Sequence, residues 1–328
     1  QTHPGMSGKN NEDRFAVSAY RVSAKNPMPV LLAVLSDGIG GHRAGEIAAE
    51  IAVNLISQKV AASDVRNPVG LLQQAIVEAS AKIYEEAQSS PDRLGMGATC
   101  VAVLVLNDRL FAASVGDSRL YLLRQGQIRK LSTDHTWIQE ALEAGVLEPD
   151  QAEGHPNAHV IRRYLGSPNP PQVDIRLRLD ENETNAQAES NQGFNLLPGD
   201  YLLMCSDGLS DLVKDQEILD AIQTRPLNEA VSSLINLANE RGGHDNITII
   251  ALQAAEKQVV EVPKTIPKRW VLGCAGAVLL AAVLAGIVWG AFWLSGKRLL
   301  PASATPGGAL TELPGLPALT RTFASQGA

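Results

Sequence analysis

Two short turns that carry carboxylates dominate the chemistry of this sequence. Apolar runs at 31–35 and 201–205 each end in Ser-Asp-Gly, so Asp37 and Asp207 directly follow segments typical of buried strands. The glycine after each aspartate lets the backbone turn sharply. Further acids stand in similar settings: Glu12, Asp13, Asp117 and Asp245. Carboxylates that a rigid sheet presents at its strand ends are typical ligands of a hard divalent cation, so the pattern predicts metal-assisted hydrolysis.

The alternative interpretation of these acids is turn chemistry, because Asp before Gly is a common turn dipeptide. An isolated Asp37 is read that way, whereas several acids in the same setting favour cation ligands. Two ionised carboxylates about 4 Å apart repel each other by roughly 4 kcal/mol at an effective dielectric constant of 20. Four or five acids therefore share a pocket only if they bind cations or take up protons. Two cations clamp a phosphoryl group and activate a bridging water, so no protein nucleophile is required.

The elements that must position these acids come in blocks of strands and blocks of helices. Residues 97–131 predict a meander of three short strands joined by tight turns. Helical periodicity appears at 44–60, 69–88 and 227–240. This order favours an antiparallel α+β architecture over strict βαβ units. Irregular structure is predicted for residues 135–171 and for the polar insertion 180–194.

Composition narrows the classes of partner. The 328 residues carry a net charge of −7, which argues against a nucleic-acid-binding surface, although ordinary solubility charge explains it equally well. The three cysteines, Cys100, Cys205 and Cys274, lie in apolar runs without the spacing of a zinc site or a disulfide framework. They predict small core residues and a reducing compartment.

The C-terminal part has a different composition from residues 1–255. Residues 256–269 are a basic, proline-containing linker, and 270–294 form an uncharged apolar run with tryptophans near its ends, which predicts one transmembrane helix rather than a buried one. The tail 295–328 is rich in Pro, Ala, Gly and Thr and predicts disorder. Residues 1–30 lack the apolar core of a signal peptide, so the expectation is a single-pass membrane protein with its large domain in the cytoplasm and its tail outside.

Six short motifs in a fixed order carry a family resemblance. They are Asn-Glu-Asp at 11–13, Asp-Gly-Ile-Gly-Gly-His at 37–42, Gly-Ala-Thr at 97–99, Gly-Asp-Ser-Arg at 116–119, Ser-Asp-Gly-Leu at 206–209 and Asp-Asn at 245–246. Together they resemble the metal-dependent protein phosphatases (type 2C, PPM) in their bacterial form, over residues 1–255. The resemblance implies a β-sandwich of two antiparallel sheets flanked by helices. It also implies hydrolysis of phosphoserine and phosphothreonine with two, possibly three, Mn²⁺ or Mg²⁺ ions.

Roles carried over from the resemblance fall on named positions. Asp37 would bridge two cations, the Gly38 carbonyl would bind one of them, and Asp207 and Asp245 would hold the other. Glu12 and Asp13 would act directly or through water. Asp117 resembles the ligand of a weaker third cation, which shares Asp207. The catalytic set is therefore Asp37, Asp207 and Asp245.

The substrate side departs from the family pattern. Many members carry Arg four residues before the first acid, whereas Gly8 stands here, followed by Lys9, which is a point charge rather than a bidentate fork. Residues 135–171 resemble the flap beside the family's active site, where Arg162 and Arg163 are candidate substrate contacts. Ile39 stands where some members have a histidine, so water is the expected acid for the leaving group.

Three functions remain open at this point. The first is a membrane-anchored Ser/Thr phosphatase that hydrolyses phosphoproteins through a metal-bridging hydroxide and opposes a cognate Ser/Thr kinase. The second is a non-catalytic phosphatase-like binding module at the membrane, which Gly8 motivates. The third is a hydrolase of small phosphate esters.

Overall fold

The computed structural model describes residues 1–8, 10–39, 44–152 and 154–255. Its strands are β1 (Thr2–His3), β2 (Arg14–Arg21), β3 (Pro29–Ser36), β4 (Gly38–Ile39), β5 (Gly97–Ala98), β6 (Cys100–Leu106), β7 (Arg109–Val115), β8 (Arg119–Arg124), β9 (Gln127–Lys130), β10 (Phe194–Asn195), β11 (Tyr201–Cys205) and β12 (Ile247–Gln253). Its helices are α1 (Gly45–Ala61), α2 (Pro68–Gln88), α3 (Trp137–Glu143), α4 (Pro149–Ala152), α5 (Asn185–Ser190), α6 (Asp207–Ser210), α7 (Asp215–Thr224) and α8 (Leu227–Glu240).

The strands form two antiparallel sheets of five strands each. The first sheet has the order β1-β12-β11-β8-β9 and the second has the order β10-β7-β6-β3-β2, while β4 and β5 make a separate short pair. One hydrophobic core lies between the sheets, a second lies under α1 and α2, and a third lies under α7 and α8. The predicted sandwich of two antiparallel sheets flanked by helices is confirmed.

The two apolar runs that precede the Ser-Asp-Gly turns are strands buried on both faces. In β3, Ala33 and Leu35 face the core between the sheets, while Leu32 and Val34 face the helices. The same alternation holds in β11. Because side chains of a strand alternate between faces, a strand covered on both sides is continuously apolar. This burial fixes the register in which each strand delivers its terminal aspartate.

The predicted helices at 44–60, 69–88 and 227–240 match α1, α2 and α8 closely. Helix α2 begins where the Asn67 side chain accepts from the Gly70 N–H and Pro68 occupies the first turn. The segment 180–194 differs from the predicted loop because it contains α5. There a capping box joins the Thr184 hydroxyl and the Gln187 side chain to each other's backbone N–H groups.

The described part of the chain contains no helix long and apolar enough to cross a membrane. The predicted linker at 256–269, transmembrane helix at 270–294 and tail at 295–328 lie outside the described residues. Those three assignments therefore stay predictions.

Candidate metal centre

The sandwich brings the predicted acids to one edge. Asp37 follows β3, Asp207 opens α6 directly after β11, and Asp245 lies two residues before β12. The Asp37 carboxyl interacts electrostatically with four other acids: Asp13, Asp117, Asp207 and Asp245. The strand ends thus assemble the carboxylates that the sequence places far apart.

Thr99 fastens the turn that carries Asp37. The Thr99 N–H donates to the Asp37 carbonyl at 2.8 Å, and the Asp37 N–H donates to the Thr99 hydroxyl at 3.0 Å. The same hydroxyl shares a hydrogen bond of 2.7 Å with Ser118, the residue after Asp117. One buried threonine therefore sets the spacing between two of the acids, a role that the sequence analysis did not assign.

Ser206 and Asn246 fasten the opposite side of the site. The Ser206 hydroxyl donates to the Asp13 carboxylate at 2.8 Å, and it accepts from the Thr248 N–H at 3.0 Å. The side-chain amide oxygen of Asn246, Oδ1, accepts from the Glu12 N–H at 2.7 Å. These bonds join the segment before β2 to the strands β11 and β12.

Two glycines allow the backbone segments of the site to approach closely. A Cβ on Gly38 would lie 2.3 Å from the Gly45 carbonyl carbon, and a Cβ on Gly45 would lie 2.6 Å from a Glu12 carboxylate oxygen. Gly38 and Glu12, both predicted ligands, are therefore neighbours at the start of α1. A Cβ on Gly208 would lie 2.1 Å from the Asn246 carbonyl oxygen, which brings the Asp207 turn against the Asp245 turn.

Burial and mutual repulsion raise the pKa values of four of the acids. Burial, followed by the neighbouring aspartates, raises the pKa of Asp13 to about 7, that of Asp207 to about 6 and that of Asp117 to about 8. The same causes raise the pKa of Asp37 well above its ordinary value. A bound cation would remove both causes, because it replaces lost hydration and neutralises the repulsion.

The acids fit a divalent cation by their chemistry. Among the described residues, one oxygen each of Asp13, Asp117 and Asp207 is buried without a hydrogen-bond partner. The oxygen of an ionised carboxylate can only accept a hydrogen bond or bind a cation. No group of three or more His, Cys, Asp or Glu side chains in that part of the chain could hold a metal ion as it stands. The fit therefore rests on burial, charge and unpartnered oxygens rather than on a completed coordination shell.

The predicted substrate contacts are less well defined than the acids. Lys9, like His42 of the glycine-rich turn, lies outside the described residues. The Arg162 guanidinium donates to Glu140 within the flap at 3.2 Å, and Arg163 is half-buried. Their contact with substrate stays a prediction.

Two histidine contacts add to what the sequence indicated. His135 is buried, and its Nδ1 accepts from the Gly116 N–H at 2.9 Å, so its protonated Nε2 donates to Asp174 at 3.1 Å. This arrangement gives the histidine a structural role beside Asp117. The second contact joins the flap residue His159 to Asp211 at 3.1 Å. Neither contact shows a short-range signal in the sequence.

Comparison with known proteins places this geometry in a family. Residues 3–248 match the family described as Protein phosphatase 2C. The Serine/threonine phosphatase stp of Listeria welshimeri is 33% identical over 258 residues, which are 77% of this chain and 94% of that protein.

Solved structures agree with the sequence match. The serine/threonine phosphatase of S. agalactiae superposes with a TM-score of 0.66 at 34% identity, covering 78% of this chain and 98% of that one. The catalytic domain of the phosphatase PstP in complex with two manganese ions gives a TM-score of 0.60 at 31% identity, covering 78% and 96%.

Proposed function

Because the chain belongs to the protein phosphatase 2C family and is a Mn²⁺/Mg²⁺-dependent serine/threonine phosphatase, we propose that its acidic edge is the catalytic centre, with each acid in the role its position gives it. Asp37 would bridge two cations, the Gly38 carbonyl would bind one of them, and Asp207 and Asp245 would hold the other. Glu12 and Asp13 would complete the two sites directly or through water, and Asp117 would hold a weaker third cation with Asp207. The observation that carries this assignment is the set of buried oxygens on Asp13, Asp117 and Asp207 that have no hydrogen-bond partner among the described residues.

The residues of the chain divide the catalytic work between them. When bound, the cations supply positive charge to the phosphoryl group and an activated water to attack phosphorus. Thr99 and Ser206 fix the backbone and carboxylate positions of the acids, which is the preorganisation that phosphoryl transfer needs. Lys9, Arg162 and Arg163 are the proposed contacts of the substrate phosphate, and Lys9 would supply a point charge in place of an arginine fork.

We also propose that the enzyme is anchored to the membrane by residues 270–294 and works on cytoplasmic phosphoproteins, opposite a cognate Ser/Thr kinase. The length of this run, its lack of charge and its flanking tryptophans support the anchor. The two described cysteines, Cys100 and Cys205, are free and buried, which suits a reducing compartment. The domain then covers residues 1–255, followed by the linker 256–269 and, beyond the anchor, the tail 295–328.

The decisive experiment is phosphate release from a phosphothreonine peptide by the full chain in detergent, with Mn²⁺ or with EDTA. We expect release that depends on Mn²⁺, loss of release in Asp207→Asn, and normal release in Asp220→Asn, a matched change on the exposed face of α7. Full activity in a folded Asp207→Asn would contradict the ligand assignment.

The same assay separates the alternatives. A folded, Mn²⁺-loaded protein that releases no phosphate would favour the non-catalytic module. Faster release from a sugar phosphate than from the peptide would favour a hydrolase of small phosphate esters. Partition of the full chain into liposomes, compared with a chain that lacks residues 270–294, tests the anchor independently.

A further inference from the structure

The flap crosses the site between its two Ser-Asp-Gly turns. At one end, Leu165 exchanges backbone hydrogen bonds with Ala98, and Ala98 is the register partner of Gly38 in the β4–β5 pair. At the other end, the His159 Nδ1 lies 3.1 Å from an Asp211 carboxylate oxygen. Asp211 is attached to the second turn, because its N–H donates to the Asp207 carbonyl at 2.9 Å. Residues 159–165 therefore span the edge where the acids converge.

Asp211 is shared between the flap and the acids. Its side chain is mostly buried, and its charge raises the pKa values of both Asp117 and Asp207. Those two neighbours each present a buried oxygen that has no hydrogen-bond partner within the described residues. A cation between Asp117 and Asp207 would therefore lie beside the Asp211 carboxylate, which His159 contacts.

The His159 contact offsets part of the negative charge of the acids, as a bound cation would. An imidazole N–H bonded to Asp211 stabilises that carboxylate, and the charge of His159 lowers the pKa of Asp207. The other basic groups that act on Asp211 are His244, at 3.8 Å from the same oxygen, and Arg119. Arg119 is already committed to Asp134 through two guanidinium nitrogens. His159 is thus the group through which the flap itself reaches the acids.

We propose that His159 is a positioning residue that fastens the flap over the site by its bond to Asp211. The weakest-bound cation, held by Asp117 and Asp207 beside that carboxylate, competes electrostatically with this bond. Cation binding at Asp117 and Asp207 then favours release of the flap, and closure of the flap weakens cation binding. Coupling is reciprocal, so removal of the His159 side chain tightens the weakest cation step, and added cation loosens the flap. This inference builds on the proposed metal roles, although its readouts do not require turnover.

The first test is a calorimetric Mn²⁺ titration of the full chain after treatment with EDTA. We expect His159→Ala to tighten the weakest resolvable Mn²⁺ step by about fivefold or more and to leave the tighter steps unchanged. The matched control is His155→Ala, which removes a flap imidazole that stacks on Trp137 rather than contacting Asp211. An unchanged weakest step in His159→Ala, or an equal shift in His155→Ala, would overturn the proposal.

The second test reads the flap directly through limited trypsin cleavage after Arg162 and Arg163, followed by mass spectrometry. Cleavage after Arg66, in the exposed loop between α1 and α2, provides the internal reference. We expect Mn²⁺ to raise the ratio of flap to reference cleavage in the wild type, and His159→Ala to show the raised ratio without Mn²⁺. A ratio that neither change alters would also overturn the proposal. If both tests succeed while the phosphopeptide is not hydrolysed, the proposed function fails and the coupling stands.

Discussion

The two Ser-Asp-Gly turns share a sequence but differ in how they are fastened. After β3, the Ser36 hydroxyl donates to the Thr99 carbonyl, and the chain continues into the short strand β4. After β11, the Ser206 hydroxyl donates to the Asp13 carboxylate, and the chain enters helix α6. The tripeptide thus specifies only that a buried strand ends in an aspartate. The residues that surround each turn in the tertiary structure determine which group the serine hydroxyl contacts.

The difference also lies in sequence distance. The first turn is tied to Thr99, which lies 63 residues along the chain and directly before β6, the strand that pairs with β3. The second turn is tied to Asp13 across 193 residues and to the Asn246 carbonyl across 40. The Asp37 turn is therefore a feature of one sheet, whereas the Asp207 turn forms only when the beginning of the domain meets its end.

The largest expected effect separates the two aspartates by cation stoichiometry. Asp37→Asn should abolish tight binding of both Mn²⁺ ions, because the proposed role of Asp37 is to bridge them, while Asp207→Asn should remove one. Both variants should lose at least about 100-fold in phosphopeptide hydrolysis, since each lacks a direct ligand. Calorimetry and metal analysis of the desalted proteins measure the stoichiometry. Equal stoichiometry in the two variants would refute the bridging role.

The glycines of the two turns should prove almost equally intolerant of substitution. A Cβ at Gly38 or Gly208 meets backbone atoms at 2.3 or 2.1 Å, so Gly38→Ala and Gly208→Ala should each cost about 3 kcal/mol of unfolding free energy. Gly145→Ala is the matched control, because Gly145 has a positive φ but open space around it, and it should cost about 1 kcal/mol. Urea unfolding measures all three. A loss at either turn no larger than the control's would show that the turn has room to relax.

The serines sharpen the comparison at a smaller scale. Ser206→Ala removes one hydrogen-bond donor from the buried Asp13 carboxylate and the acceptor of the Thr248 N–H, and it should cost about 2 kcal/mol of unfolding free energy. Ser36→Ala removes one bond to a carbonyl and should cost about 1 kcal/mol. Urea midpoints in EDTA give both values. The reverse order would mean that the Asp207 turn is fastened mainly by its other contacts.

The smallest expected effect is a pH dependence of stability in the cation-free protein. The folded pKa values of Asp13, Asp117 and Asp207, at about 7, 8 and 6, exceed the unfolded value of about 4. The folded state therefore binds more protons than the unfolded state between pH 4 and 8, so stability falls as pH rises through that window. We expect the melting temperature in EDTA to fall by about 5 °C or more from pH 5 to pH 8.

Two comparisons test the origin of this slope. Saturating Mn²⁺ should flatten or reverse it, because cations displace the protons. Asp37→Asn and Asp207→Asn should each flatten it, since each removes a carboxyl group whose pKa burial raises in the folded state. A melting temperature that rises with pH in EDTA would contradict the assignment of raised pKa values.

Much of the fold and the acid set could be predicted from sequence because their signals are local. The runs before Asp37 and Asp207 are apolar over whole strands, and the periodicity of α1, α2 and α8 is helical throughout. The capping box at Thr184 and Gln187 was also visible as a Thr-x-x-Gln pattern, yet the polar composition of 180–194 favoured a loop, which was wrong.

The remaining features could not be predicted because they depend on contacts between distant segments. Nothing near Thr99 indicates that its hydroxyl serves both Asp37 and Ser118, and nothing near His159 points to Asp211. Sequence patterns reveal candidate metal ligands when those residues repeatedly follow the ends of strands. They do not find the neutral side chains that set distances between elements.

The position of β12 has a consequence for the timing of activity. This strand lies between β1 and β11, follows Asp245, and is the last strand of the described chain. A nascent chain that already contains all the acids of the site still lacks β12, which is the partner of β1. The first sheet of such a chain therefore has a gap between β1 and β11. The acidic edge is therefore incomplete until β12 has been synthesised and has paired with β1 and β11.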